Sequence, residues 1–266
     1  MTFSQSLPDA RPLVVITGAS SGIGQALALH YAQSGWRLAL VVRKEYETKK
    51  WLHACSVSEA CYQIYTADVA DIDAIVAAGQ AVLARQGVPD VVIANAGISV
   101  GMDTAIRSDL DVMARTFATN NVGAAATFHP FVSAMVARGR GTLVGVASVG
   151  GIRGMPGHGA YCASKAAVIS YCESLRGELR GTGIKVVTLL PGYIDTPLTQ
   201  RNRYPMPFLM QPADFARQAA AAIARQTSYR VIPWQMGWVA KLLRGLPNAW
   251  LDRIFAGRPR KRREGE

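Results

Sequence analysis

Tyr161 and Lys165 stand four residues apart in the run Tyr161-Cys162-Ala163-Ser164-Lys165. On a helix that spacing projects a phenol and an ammonium from one face. A phenol ordinarily titrates near pH ~10, too high to exchange protons readily at neutrality. A fixed cation beside it favours the phenolate and draws the group toward a useful range. Such a pair could give a proton to an oxygen, or take one from it. Alone it is also an ordinary surface pattern, so its meaning rests on what the chain places around it.

Pro12 to Thr17 is a short apolar, β-branched run, the mark of a strand buried on both faces. Gly18-Ala19-Ser20-Ser21-Gly22-Ile23-Gly24 follows, then a helical stretch through Gln25, Leu27, Leu29 and Tyr31. Strand, glycine loop and helix in that order converge backbone N–H groups on a helix N-terminus, a setting for a pyrophosphate. The glycines divide the work: a tight turn at Gly18, close approach of phosphate at Gly22, helix–strand contact at Gly24. A second strand, Arg37 to Val42, runs directly into Arg43 and Lys44. Folds selective for NAD usually end this strand with an acid for the ribose hydroxyls. Arg43 can instead pair its planar fork with a 2′-phosphate, so the expected cofactor is NADP(H).

Further strands are expected at Tyr62–Thr66, Val91–Ala94, Gly141–Ala147, Ile184–Leu190 and Tyr229–Ile232. Helices are expected at Glu47–Ser56, Ile72–Arg85, Leu110–Arg138 and about Ala160–Arg180. The alternation predicts an α/β fold: a doubly wound parallel sheet of about seven strands with right-handed crossovers around one core. Distinctive residues fall where these strands end, as ligand sites at the carboxyl edge of such sheets require. Asp68 and Val69 follow the third strand; Asp68 is placed to bond an adenine edge or to cap the helix beginning near Asp71. Asn95-Ala96-Gly97 follows the fourth, with small residues that let a cofactor lie close. Asn120 and Asn121 inside the longest helix suggest a kink or a hydrogen-bonding duty. Ser148 follows the fifth strand, and Pro191-Gly192-Tyr193-Ile194-Asp195-Thr196 the sixth.

The 266 residues are half hydrophobic, yet no uninterrupted apolar window of ~18 residues marks a membrane span. Residues 1–11 are polar and lack the basic-then-apolar order of a secretory signal. Cys55, Cys61, Cys162 and Cys172 are scattered, with no metal-like spacing, which fits reduced thiols in the cytoplasm and no metal site. The net charge of +11 is concentrated in part at 258–266, where a basic run reads as solvated tail. Neither a zinc-finger spacing nor an RNA-binding aromatic signature accompanies it, so nucleic acid is not an expected partner.

Glycine loop, Asn, Ser, Tyr and Lys together resemble the short-chain dehydrogenase/reductase family over roughly residues 12 to 232. Thr17-Gly18-x-x-x-Gly22-x-Gly24 is similar to the family's cofactor loop, and Tyr161-x-x-x-Lys165 to its catalytic motif. Ser148 stands at the family's usual spacing before that tyrosine, and Asn120 fits its fourth catalytic position. The resemblance implies an oxidoreductase that moves a hydride between a nicotinamide cofactor and a carbonyl or secondary alcohol. Tyr161 would be the acid or base, Lys165 would lower its pKa, Ser148 would hold the substrate oxygen, and Asn120 would position a relay water. Cofactor contacts would come from Thr17, Gly18, Ser20, Ser21, Gly22, Ile23, Gly24, Arg43, Asp68, Val69, Asn95, Ala96, Gly97, Tyr161, Lys165, Pro191, Gly192, Ile194 and Thr196. Two departures stand out: Ala94 replaces an asparagine of the family's Asn-Asn-Ala-Gly, and Ser21 replaces a basic residue common in NADP-using relatives. The resemblance also implies a homodimer or homotetramer joined through Leu110–Arg138 and Ala160–Arg180. A regulatory or scaffold protein that binds nucleotide without turnover is the alternative, and the intact four-residue set speaks against it.

The loop 197–212, including Arg201, Arg203 and Tyr204, lies where this family keeps its substrate lid. With Met155, His158, Tyr193, Met206 and Phe208 it points to a largely apolar pocket, hence a hydrophobic substrate. Residues 233–257 exceed the needs of the fold. Trp234, Trp238, Val239, Leu242, Leu243 and Leu246 fall at helical spacing with Lys241 and Arg244 among them, and after Pro247 the pattern continues through Trp250, Leu251, Ile254 and Phe255. Such a stretch suits an arm packed on its own subunit or a neighbour. Packing is the commoner fate of such helices; the alternative is a peripheral contact, through 234–263, with anionic lipid at the inner face of a membrane.

Overall fold

The computed structural model describes residues 10–200, 202, 205–257 and 259–265. The lid residues Arg201, Arg203 and Tyr204, the tail residue Arg258 and most of the polar N-terminal stretch lie outside the described residues. Seven strands form one parallel sheet: β1 (Leu13–Thr17), β2 (Arg37–Val42), β3 (Tyr62–Thr66), β4 (Val91–Ala94), β5 (Gly141–Val146), β6 (Ile184–Pro191) and β7 (Tyr229–Ile232). Their order is β3-β2-β1-β4-β5-β6-β7. Winding therefore reverses between β1 and β4, and a crevice opens at the carboxyl ends of those two strands.

Every residue of β1 and β4 is buried, because helices cover both faces of the sheet. Alternate side chains feed two separate cores. Leu13 and Val15 join Val92 and Leu143 on one side, while Val14 and Ile16 join Ile93 and Val144 on the other. The first core is covered by α3 (Ile72–Gln86), α5 (Gly123–Arg138) and α6 (Gly159–Glu178). The second is covered by α1 (Gly22–Gln33), α2 (Glu45–Ala54) and α7 (Pro212–Ala224). The helix α7 has no counterpart among the expected elements. Its inward positions are Phe215, Ala216, Ala219, Ala222 and Ile223.

The long helix expected from Leu110 to Arg138 is interrupted. An α-helix α4 (Arg107–Phe117) gives way to a π-turn over Ala118–Val122 before α5 begins. The interruption falls on Asn120 and Asn121, and π-turns of this kind are frequent at functional sites. Gly123 then lets α5 start hard against the carbonyl of Val69, which a Cβ would meet at 2.6 Å.

The extension forms α8 (Trp234–Gly245) and α9 (Asn248–Phe255). Met236 and Ala240 anchor α8, and Arg244 donates to the Ile152 carbonyl at 3.1 Å. The basic run is not simply solvated. Arg263 forks onto Asp109 of α4 at 2.6 and 3.1 Å, Arg260 pairs with Asp103 at 3.3 Å, and Glu264 pairs with Arg115 at 2.8 Å. The Gly101 amide donates to the Arg262 carbonyl, so the tail straps the loop between β4 and α4. Among the described residues, no helix is long and apolar enough to cross a membrane.

Candidate active site

One cleft at the carboxyl edge gathers most of the residues expected to bind cofactor. Its wall includes Gly18, Ser20, Ser21, Gly22 and Ile23 at one end of β1, Arg43, Asp68 and Val69 on the outer side, and Asn95 to Gly97 beneath. Ser148, Tyr161, Lys165, Pro191, Gly192, Ile194 and Thr196 close its other end. Thr17 and Gly24 are absent from the wall because they build it from behind. The Thr17 hydroxyl accepts from the amides of Asn95 and Ala96, at 3.1 and 3.2 Å, and locks the ends of β1 and β4 together. The Asn95 side-chain amide donates to the Thr17 and Gly18 carbonyls at 3.0 and 3.3 Å, fixing the glycine loop from below. This contact comes from the one asparagine kept at that place; Ala94, the departure from the family pattern, is buried within β4.

The glycine loop needs its glycines for two distinct reasons. Gly18 and Gly22 have φ of 70° and 54°, the left-handed region where a Cβ is strained. A Cβ on Gly24 would run into the Gly18 carbonyl and the Asn95 amide, so α1 could not approach the loop. Ser21 caps α1 in extended conformation without a side-chain hydrogen bond, leaving the first-turn amides directed at the cleft. At the outer end Arg43 lies 3.4 Å from the Asp68 carboxylate. Asp68 also accepts from Ala70 N at 3.0 Å, and it is Asp71, not Asp68, that caps α3 through Ala74 N.

The other end of the cleft holds the titratable groups. Tyr161 and Lys165 project from the first turns of α6, opposite Ser148 at the end of β5. The Ser148 hydroxyl hydrogen-bonds the Tyr161 phenol and also accepts from Gly150 N at 3.1 Å. Lys165 is buried, and its ammonium donates to the Val146 carbonyl at 2.8 Å. Asn120 is buried too. Its amide nitrogen donates to the Ile98 carbonyl and Ser164 Oγ, and its Oδ1 accepts from Ile98 N at 2.8 Å. Gly97 separates Asn120 from Lys165: a Cβ there would meet Asn120 Oδ1 at 3.2 Å and Lys165 Nζ at 3.3 Å. All four residues thus surround one small volume.

Electrostatics differ from the sequence expectation in one respect. Burial pushes the Tyr161 phenol up to about 12, with the Ser148 hydrogen bond pulling it down and the nearby Cys162 and Tyr193 opposing ionisation. Burial likewise draws Lys165 down to about 8. Desolvation is the largest influence on the phenol, which is protonated at neutral pH.

Of the residues expected around the substrate, Met155 has its methyl beside Gly150, next to Ser148 and Tyr161, and Tyr193 stands near Tyr161. His158 faces elsewhere: it is buried, with Nδ1 3.0 Å from the Pro156 carbonyl. Met206 and Phe208 lie on the lid away from the cleft wall, Phe208 exposed and at φ 58°. The wall also includes Leu198 and Thr199 of the expected lid, and Ile98, Thr119 and Val146, which sequence reasoning passed over. Thr119 shares the π-turn with Asn120, and that was its available signal.

Fold and site together define a dinucleotide-binding α/β oxidoreductase. The short chain dehydrogenase profile matches residues 12–206, and the chain belongs to that family. It is 37% identical over 238 residues to an uncharacterized oxidoreductase of Myxococcus xanthus, covering 90% of this chain and 94% of that one. It is 31% identical over 273 residues to dehydrogenase/reductase SDR family member 7B of Bos taurus, covering 96% and 83%. Among solved structures, a single-substitution variant of actinorhodin polyketide ketoreductase with NADPH superposes with a TM-score of 0.74 at 28% identity, over 84% and 95% of the two chains. A short-chain dehydrogenase/reductase of Burkholderia phymatum in complex with NAD superposes with a TM-score of 0.79 at 24% identity, over 89% and 94%. The chain is an NAD(P)-dependent oxidoreductase acting on CH–OH and C=O groups.

Proposed function

We propose that this enzyme uses NADP(H) to interconvert a hydrophobic carbonyl compound and its secondary alcohol. The observation that carries the reading is the convergence of Ser148, Tyr161 and Lys165 at one end of a cleft whose other end presents Arg43, with Asn120 buried behind Gly97 next to Lys165. The residues present fit a dinucleotide. First-turn amides of α1 suit the pyrophosphate, Gly97 keeps the space beside Lys165 clear, and β2 ends without an acid to oppose a 2′-phosphate. Bound there, the nicotinamide supplies or accepts the hydride.

This chain's residues manage the oxygen. Ser148 donates to the substrate oxygen and stabilises it as negative charge develops. Tyr161, whose pKa lies well above neutrality, gives up its proton to that oxygen in reduction and takes one back in oxidation. Lys165, held by the Val146 carbonyl, favours the transient phenolate and returns a proton toward it. Asn120 positions the relay that resupplies Lys165 and keeps the Ile98 backbone fixed around it. Met155 and Tyr193 beside the catalytic group, with Leu198 at the lid, favour an apolar substrate. Exposed Leu110, Val122 and Val136 on α4, the π-turn and α5 support assembly into a homodimer or homotetramer through these helices. Four free thiols fit a cytoplasmic setting. A panel of ketones, aldehydes and secondary alcohols followed at the NADPH absorbance tests the reading. Turnover of apolar carbonyls is expected; a panel active only with small polar compounds would refute the substrate assignment.

A further inference from the structure

The helix α8 is apolar on two opposite faces, and only one of them is covered. Met236 and Ala240 point inward and pack the helix against β7 and the loop after Ser148. On the opposite side Trp234, Trp238 and Leu242 form a row at four-residue spacing, and Trp238 and Leu242 are 66% and 68% exposed. The next helix repeats the arrangement: Leu251 is buried while Trp250, 63% exposed, and Ile254 face outward. Helix propensity does not explain this, since a surface helix ordinarily turns charge to water on its far side. Large side chains exposed in register mark an interaction surface.

Charge selects the partner. Between Pro233 and Gly257 the cations are Lys241, Arg244 and Arg253, against the single acid Asp252. Lys241 sits over the Trp238 ring, 5.0 Å from its centroid, so the cation borders the apolar row directly. A second copy docking through this face by a two-fold axis would set these cations against their own equivalents. An anionic bilayer meets both requirements, since indole rings settle at the headgroup level and flanking cations meet the lipid phosphates. The tail is a poorer candidate for this contact, because Arg260 and Arg263 are already paired with Asp103 and Asp109.

We propose that the outward face of α8 and α9, built on Trp234, Trp238, Leu242, Trp250 and Ile254 and edged by Lys241 and Arg253, docks the enzyme on anionic membrane surface. Docking does not depend on the chemistry, so turnover and NADPH binding serve only to show that variants are folded. The test is co-sedimentation of the full-length protein with vesicles of mixed phosphatidylcholine and phosphatidylglycerol, against vesicles of phosphatidylcholine alone. The parent protein should sediment with the mixed vesicles, with a blue-shifted tryptophan emission, and release as salt screens the attraction. The double variant Trp238→Glu/Leu242→Glu should lose roughly tenfold or more of that binding while keeping NADPH affinity. Lys241→Glu/Arg253→Glu should remove the preference for the anionic vesicles. A chain ending at Gly257 should still bind. No sedimentation of the parent, unchanged binding by the glutamate variants, or loss of binding with the tail alone would overturn the proposal. So would a Trp238→Glu/Leu242→Glu protein that dissociates into smaller oligomers yet keeps its vesicle binding, which would mark the face as a subunit contact.

Discussion

Replacing Arg43 by Ala should separate the two nicotinamide cofactors. The guanidinium is 67% exposed on its own side chain and rests 3.4 Å from Asp68, so it is placed but largely solvated. A hydrogen bond to a charged group contributes ~1.5–3 kcal/mol, and solvent screening puts this exposed site at the lower end, about 1.5 kcal/mol. That corresponds to about a tenfold loss of NADPH affinity. Removing Arg43 also leaves the Asp68 carboxylate facing a 2′-phosphate without its counter-ion, which adds to the loss. NADH carries no phosphate there, and its affinity should stay within about twofold of the parent's. Fluorescence titration of both cofactors, with kcat and KM on one good substrate, reads the outcome: KM for NADPH rises and kcat holds. Equal loss for NADH and NADPH, or no loss for either, would refute the assignment of Arg43 to the 2′-phosphate.

Gly24→Ala should abolish NADPH binding and cost about 2 kcal/mol of stability, because the Cβ would drive α1 away from the Gly18 carbonyl; urea denaturation and cofactor titration measure both. Lys165 gives a pH signature. Its pKa is drawn down from the ordinary lysine value to about 8, so between pH ~8 and ~10.4 the unfolded chain binds the extra proton and stability rises with pH. Across that window the lysine's contribution changes by on the order of 3 kcal/mol, and Lys165→Met should lack this rise in paired denaturation curves. Arg263→Ala should free the tail from Asp109 and expose the Gly101 amide to faster hydrogen exchange, since that amide bonds to the Arg262 carbonyl. Asp109 is held below the usual carboxylate range by Arg263 first and the Asp103 amide second. Its stabilising part is therefore complete above the ordinary carboxylate pKa and fades as pH falls through the depressed one.

What was legible in the sequence had a local cause. Two-sided strands such as Leu13–Thr17 are buried throughout and apolar up to their last residue, and the turn chemistry of Gly18 and Gly22 follows from backbone sterics. Asn120 and Asn121 marked the helix break because asparagine sits poorly in a helix interior. What was not legible depended on partners distant in the chain. The docking of Arg263 on Asp109 crosses 154 residues, and nothing in a basic run names its acid. His158 turns to Pro156 because the neighbouring loop packs it there, although its place in the sequence suited the substrate side equally well. The phenol's pKa was expected to fall because a lysine stood nearby, but burial of both groups decides it, and burial is a property of the assembled fold.

The central claim is that Tyr161 is the proton donor at the end of this cleft. Tyr161→Phe removes one oxygen from a half-buried ring and leaves the packing around Gly150 and Met155 in place. Single-turnover reduction of a ketone by the variant, with bound NADPH measured on the same sample, separates chemistry from binding. The account predicts NADPH affinity within about twofold of the parent and a rate lower by roughly 10²–10⁴. Full turnover by a folded, NADPH-bound Tyr161→Phe enzyme would contradict it.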